Sequence, residues 1–453
     1  MKGDRMKYIY TCILSLLSIT AIAQEVYTLE QCREMALEHN KERKTSLLQG
    51  DKAKYDVRVY RAKFFPHLSA QGNFLFSQKK LEEHTPEIKL PTFPLAGTTP
   101  NGFVGIPAMP ISFDLNKSWT AGVNLKQPLF MGGQIVSAYK MAKIGREMAE
   151  VNQQLTNAEV IFQTDNAYWT LLKVKELLLA SQKYEEVVEH LLADIKNAYE
   201  VGMKSRNDML KVQVKLNEAR LQRRRAENGV TVARMNLCHV LGLPLVQEIE
   251  IVESSLDGEA KELPLVADVL MRPEYQLLDK QMELKRQQIR LTRGDYLPKI
   301  GVSAGWNYYD AFKLNETKMF KGGSFSALFS VSVPLFQWGE GINRVKSMRA
   351  EQQIAELQRD DASEKMMLEM TVALNQVDES KLEVAMTTES LAQAEENLKI
   401  SADQFEVGLE TLTEHLEAQT LWQKAWAENI ESKAQLRLNE TKYLKASGQL
   451  DKE

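Results

Sequence analysis

A chain of 453 residues with 44% hydrophobic and 26% charged positions has the apolar material for a large core and is not disordered by composition. Its formal net charge of -4 excludes a general nucleic-acid binder, because neutralising phosphates needs a basic excess on some face. Glycine and proline are sparse and locally clustered, so the uninterrupted remainder reads as helix.

Residues 1–23 have the form of a secretory signal. Lys2, Arg5 and Lys7 precede an apolar run from Ile9 to Ile22, and Ala21-Ile22-Ala23 would leave Gln24 as the first mature residue. An uncleaved anchor is the alternative, but the run is shorter than the ~20 residues that span a bilayer. No cysteine follows the small residues, so no lipoprotein attachment site is expected. Cys12 would leave with the signal; Cys32 and Cys238 remain, as buried thiols or as a bridge that an oxidising compartment permits.

The remainder divides into a first repeat (24–247), a linker (248–265), a second repeat (266–447) and a short tail (448–453). Asn40 to Pro66 equals Arg272 to Pro298 in length, and both end in a charged helical pattern broken by proline. Pro128-Leu129-Phe130 answers Pro334-Leu335-Phe336, and Val201-Gly202 answers Val407-Gly408 at the same distance from those prolines. Three landmarks in one order mark two tandem halves.

Each half carries two alternating segments, expected as strands near 67–77 and 118–127, then 299–309 and 324–333. Leu68, Ala70, Phe74 and Phe76 share one face in the first, and Phe325, Ala327, Phe329, Val331 and Val333 do so in the last. Segments of about ten residues with aromatics toward their ends suit tilted strands crossing hydrocarbon. Four strands cannot close a membrane barrel, for which about eight is the minimum, so several chains must share one. The proline-rich stretch from Ser77 to Lys117 and the shorter one from Asp310 to Gly323 are expected as outer loops, the former without regular helix or central strand.

Long helices follow. Met141, Ile144, Met148, Val151, Leu155 and Ala158 step by three and four, as do Met209, Val212, Leu216 and Ala219 with Arg223 as an exception, and Met367, Met370, Leu374 and Val377. A mean spacing of about 3.5 means helices packed as coiled coil. The glycine breaks lie at tips near 199–208 and 405–414.

Together these residues resemble the TolC-like outer-membrane efflux family, over nearly the whole chain. The resemblance implies a mainly α fold with a membrane β-barrel: a homotrimer whose protomers give four strands each to one twelve-stranded barrel, continued by a coiled-coil conduit in the periplasm. It further implies a passive outer-membrane channel of a tripartite efflux or type I secretion system, with no enzymatic activity and no cofactor. The implied partners are a periplasmic membrane-fusion adaptor, an inner-membrane RND or ABC transporter and outer-membrane lipid. The family's paired constriction acids fall on Glu414 and Glu417, and the acid after the first tip is Asp208; ringed in a trimer, such carboxylates would raise one another's pKa and attract cations. The family's latch of a tyrosine and an arginine is replaced by Phe405 and Glu410, which leaves Lys204 and Arg206 as candidates for a bridge of swapped polarity. Docking falls on Val201, Gly202, Met203 and Ser205 of one tip and Val407, Gly408, Leu409 and Thr411 of the other.

Other chemistry is thin. The six histidines include no His-Glu-x-x-His, so no metal site is expected; Arg223-Arg224-Arg225 reads as a helix-pairing or solvated face, and Trp422 with Trp426 as packing. A secreted coiled-coil scaffold or adhesin without a pore is the alternative function, although a scaffold does not need four alternating segments with terminal aromatics. A periplasmic enzyme would need a globular pocket for which continuous seams leave little room.

Overall fold

A computed structural model describes residues 25–450 except 79, 95–97, 101, 115, 254, 258–262, 264–267, 311–312 and 320. The expected signal segment, much of the linker and the last three tail residues lie outside the described residues. The helices repeat with the period of the landmarks. After β1 (Glu25–Tyr27) come α1 (Leu29–His39) and α2 (Lys41–Ala62), and α2 has the length of α5 (Pro273–Gly294), 22 residues each. The two long helices, α3 (Gln134–Glu200) and α6 (Glu340–Glu406), are 67 residues each. Each turns at a tip into a shorter helix, α4 (Arg206–Leu241) or α7 (Leu412–Ala446).

The chain packs into two compact units, each drawn from both tandem halves. Among the described residues, one spans 25–52, 147–281 and 356–450 and the other 53–146 and 282–355. In the helical unit the core joins Leu29, Cys32 and Ala36 of α1 to Val160, Tyr168 and Leu171 of α3, Leu237, Cys238 and Leu241 of α4, and Ile430 and Ala434 of α7. Both cysteines are free and buried here, so the bridge left open from sequence is not formed; burial pushes the Cys32 thiol up to about 12. One charge pair is deeply enclosed in this unit. Arg33 donates to both carboxylate oxygens of Asp165 at 2.8 and 2.6 Å, and the Thr441 hydroxyl donates to the same group at 3.2 Å. The linker is not featureless: β8 (Ile249–Ile251) pairs in parallel with β1, and the Leu256 amide donates to the Glu176 carboxylate at 2.6 Å. Leu450, expected in the tail, is buried beside Ile161 and Leu444. Arg223, the exception in the α4 seam, pairs with Glu185 of α3 at 3.1 Å, while Arg224 pairs with Glu227 of its own helix at 3.0 Å and Arg225 is exposed.

The second unit holds a four-stranded antiparallel sheet in the order β12-β9-β7-β2, from β2 (His67–Leu75), β7 (Ser118–Met131), β9 (Lys299–Asp310) and β12 (Lys321–Ser332). β7 outlasts the expected end near 127, continuing through Pro128 to Met131 with a bulge between Pro128 and Phe130. The ladder aligns Leu68, Leu125, Ala304 and Ala327 in one row and Ala70, Val123, Trp306 and Phe325 in the next row of the same face. The opposite face carries Gln71, Gly122, Asn307 and Ser324. The proline-rich stretch contains strands, and one of them is central in its sheet, contrary to the expectation of no central strand there. β3 (Leu81–His84) and β6 (Pro110–Asp114) pair, as do β4 (Ile88–Thr92) and β5 (Gly102–Ile106), and β10 (Lys313–Leu314) with β11 (Thr317–Lys318) extends the β6 edge. These are short pieces; Pro91 lies in a two-stranded ladder and Pro110 is the first residue of β6, positions where a missing amide donor is tolerated.

Candidate functional site

Both helix tips are built from one local code. Gly202 and Gly408 take left-handed φ values of 76° and 79°, which a residue bearing a Cβ adopts only with strain. The amides of Met203 and Leu409 then reach back to the carbonyls of Ala198 and Gln404 at 2.8 and 2.9 Å, closing each long helix with a Schellman-type turn. Three residues on from each glycine a new helix is capped. The Ser205 and Thr411 hydroxyls accept from the amides of Asp208 and Glu414 at 3.1 and 3.3 Å. Those acids in turn accept from the Ser205 and Thr411 amides at 3.2 and 2.8 Å, completing two capping boxes.

Two of the three expected constriction acids therefore have a defined local task. The Ser205 hydroxyl, followed by its amide and by Lys211 and Lys204, holds the Asp208 carboxyl below its usual range, and the Thr411 hydroxyl and amide do the same for Glu414. In the single chain the shift is thus downward, opposite to the mutual elevation expected of a closed ring. Glu417 is different: it is exposed in a groove between α4 and α7 lined also by Lys211, Lys215, Lys424, Val214, Leu416 and Leu421. The pattern Ser205-Arg206-Asn207-Asp208, repeated as Thr411-Leu412-Thr413-Glu414, is the sequence signal for this capping role.

A depressed carboxylate pKa stabilises the fold above the unfolded pKa, and that contribution is lost as pH falls through the folded one. Amides 206–209 and 412–415 are therefore expected to lose protection, measured against their intrinsic exchange rates, as pH drops through the lower carboxylate range. Ser205→Ala or Thr411→Ala should weaken its helix start by ~1 kcal/mol. Hydrogen exchange read at both tips checks this; equal protection in the alanine variants would refute the capping assignment.

The latch residues are arranged differently from an ion pair. The Lys204 ammonium lies 4.5 Å from the centroid of the Phe405 ring, and Phe405 stacks on the imidazole of His415 at 5.0 Å with 6° between planes. Among the described residues no ion pair joins Glu410 to Lys204 or Arg206, and Arg206 is exposed. Half-buried Glu410 keeps one carboxylate oxygen without a hydrogen-bond partner. His415, absent from the residues singled out in sequence, is buried, with Nδ1 3.0 Å from the Ser401 hydroxyl and Nε2 3.0 Å from the Gln419 amide. Burial lowers its pKa, opposed in part by Glu410. No spacing rule signals this cluster, because its members face one another across two helices.

Val201, Met203, Val407 and Leu409 project from the tips as exposed apolar side chains. In the sheet unit the apolar face is also bare: Leu68, Phe74, Val123, Leu125, Trp306, Phe325 and Phe329 are all exposed. A continuous apolar sheet face of this kind marks a membrane or protein contact. Among the described residues no helix is long and apolar enough to cross a membrane.

Comparison with known proteins agrees with this arrangement. Residues 33–243 and 272–449 match the sequence model of the family described as outer membrane efflux protein. The outer membrane protein TolC of Vibrio cholerae is 20% identical over 306 residues, 66% of this chain and 69% of that one. The probable efflux pump outer membrane protein TtgC of Pseudomonas putida is 21% identical over 406 residues, 86% of this chain and 76% of that one. The fold is similar to the open state of the Neisseria gonorrhoeae MtrE outer membrane channel, with a TM-score of 0.72 and 16% identity over 93% of this chain and 88% of that one. The chain belongs to the outer membrane efflux protein family, and its place is the outer membrane, with a helical extension in the periplasm.

Proposed function

We propose that three copies of this chain form a passive exit duct in the outer membrane, serving a tripartite efflux or type I secretion system that moves small toxic compounds or secreted proteins. The observation that carries this reading is the four-stranded sheet: among the described residues no further strand pairs with the outer edges of β2 and β12, and its apolar face is bare. An open edge of that length invites another strand, and four strands are too few to close alone. Three copies give a twelve-stranded barrel that offers lipid its apolar face and the lumen its Gln71–Ser324 face. The tips then form the periplasmic entrance. Asp208, Glu414 and Glu417 supply its negative charge, the first two held ionised by their caps. Val201, Gly202, Met203, Ser205, Val407, Gly408, Leu409 and Thr411 present the surface to a membrane-fusion adaptor, and through it to an RND or ABC transporter of the inner membrane.

In this reading Glu410 closes the entrance against a cation on a neighbouring hairpin. Lys204 is engaged with Phe405 in its own chain, so Arg206 is the freer donor. Glu410→Lys is expected to raise the leak of the closed channel in planar bilayers, and a closed state as tight as wild type would exclude the swapped latch. Recovery from detergent-extracted outer membranes as a heat-modifiable trimer tests the assembly; a soluble elongated species would contradict it.

A further inference from the structure

The tandem repeat allows the contact between copies to be derived from the contact within one chain. Pro128 and Pro334, like Gly202 and Gly408, are related by an offset of 206 residues, and Pro66 and Pro298 by 232. Backbone conformation follows the same relation: Gly133 and Gly339 have φ of 80° and 81°, and their predecessors Gly132 and Trp338 have 62° and 49°. Within the chain, β7 of the first half pairs with β9 of the second. One further step of the same relation pairs β12 with β2 of a second copy. Lys126 lies opposite Ser303; their repeat equivalents are Ser332 and Gln71.

That register can be checked against the faces. Gln71 and Ser324 already share one face of the sheet, and Ser332 shares the parity of Ser324 along β12. Pairing Ser332 with Gln71 and Ser330 with Asn73 therefore keeps the polar face continuous, while Val331 meets Gly72 and Phe329 meets Phe74 on the apolar one. A slip of one residue would invert every side chain.

The two seams differ most where the second strand of each half leaves the sheet. Inside the chain, a Cβ on Gly132 would lie 2.9 Å from the Cα and carbonyl carbon of Gly294, and one on Gly294 would lie 2.7 Å from the Gly132 oxygen. Two backbones meet there with no room for a side chain. The equivalents across the seam are Trp338 and Ala62. Trp338 is 89% exposed in the single chain despite a left-handed backbone that Gly132 adopts freely, and it packs edge-on against Phe336 at 4.9 Å. Phe65, Val59 and Leu68, near the equivalent of Gly294, are bare as well.

We infer that copies of this chain join with Ser332 opposite Gln71, and that Trp338 fills the base of this seam against the end of α2 of the next copy. The joint between copies is thus a side-chain-filled joint, wider than the glycine joint within each copy. The inference rests on the trimeric reading above.

The test is oxidation of membranes carrying Ser332→Cys with Gln71→Cys. Reducible dimers and trimers are expected, absent from each single substitution and from Val331→Cys with Gln71→Cys, whose side chains leave opposite faces. An intact trimer without this cross-link would overturn the register and leave the trimeric reading standing; no trimer even in wild type would overturn both. For Trp338, the Trp338→Lys variant is expected to lose its SDS-resistant trimer at a lower temperature than wild type and Trp338→Phe to stay close to it. A Trp338→Lys trimer as heat-resistant as wild type would place that side chain outside the seam.

Discussion

Gly132→Val is expected to prevent the sheet unit from reaching its heat-modifiable form. A β-branched side chain there must adopt a left-handed backbone and at the same time occupy space held by the backbone of Gly294. Backbone cannot yield as the end of a flexible side chain can, so strain and overpacking together exceed ~3 kcal/mol. Gly133→Ala separates the two effects. Its φ of 80° is equally left-handed, yet a Cβ there meets nothing within 4 Å, so it should carry only the conformational part, ~1–2 kcal/mol. If the two variants unfold alike, the close approach of residues 132 and 294 is not what fastens the turn after β7.

Asp165→Leu is the second large effect. Asp165 is fully buried and takes a bidentate pair from Arg33 plus the Thr441 hydroxyl, so one carboxylate ties α1, α3 and α7 together. Removing one partner of a buried pair leaves the guanidinium in a site built for a counter-charge, at a cost of ~3–5 kcal/mol. Replacing both, as Arg33→Met with Asp165→Leu, should recover much of that loss, because two apolar groups of similar volume need no compensation. Thermal unfolding of the single and double variants reads this directly; a double variant no better than the single would mean that the site tolerates no apolar substitute.

The long helices and the sheet could be read from the chain because their signals are long and repeated. Offsets set by Pro128 with Pro334 and by Gly202 with Gly408 carry over to two helices of identical length and to turn glycines with matching φ. Alternation from Leu68 to Phe76 and from Phe325 to Val333 locates edge strands whose two faces differ in polarity. Shorter elements escaped. Three-residue strands such as β1 and β8 carry too little periodicity to register, and their pairing joins residues more than 200 positions apart. At the tips, the family resemblance assigns Asp208 and Glu414 to charge in a pore, whereas their immediate partners are the hydroxyls and amides of Ser205 and Thr411. Local hydrogen bonding to a helix start and charge presented to a channel are compatible tasks, since a capping carboxylate must stay ionised to perform either. Phe405 illustrates the opposite case: read as a tyrosine lacking its hydroxyl, it is instead a platform for Lys204 on one hand and His415 on the other. Such contacts depend on how helices rotate against each other, which sequence spacing does not specify.

Single-channel recording of the purified protein in planar bilayers tests the central claim most directly. A trimeric duct with an acidic entrance should give discrete, cation-selective conductance steps, and selectivity should fall when Asp208→Asn, Glu414→Gln and Glu417→Gln are combined. Inserted trimers that conduct no ions under any applied voltage, in wild type and in Glu410→Lys alike, would contradict it.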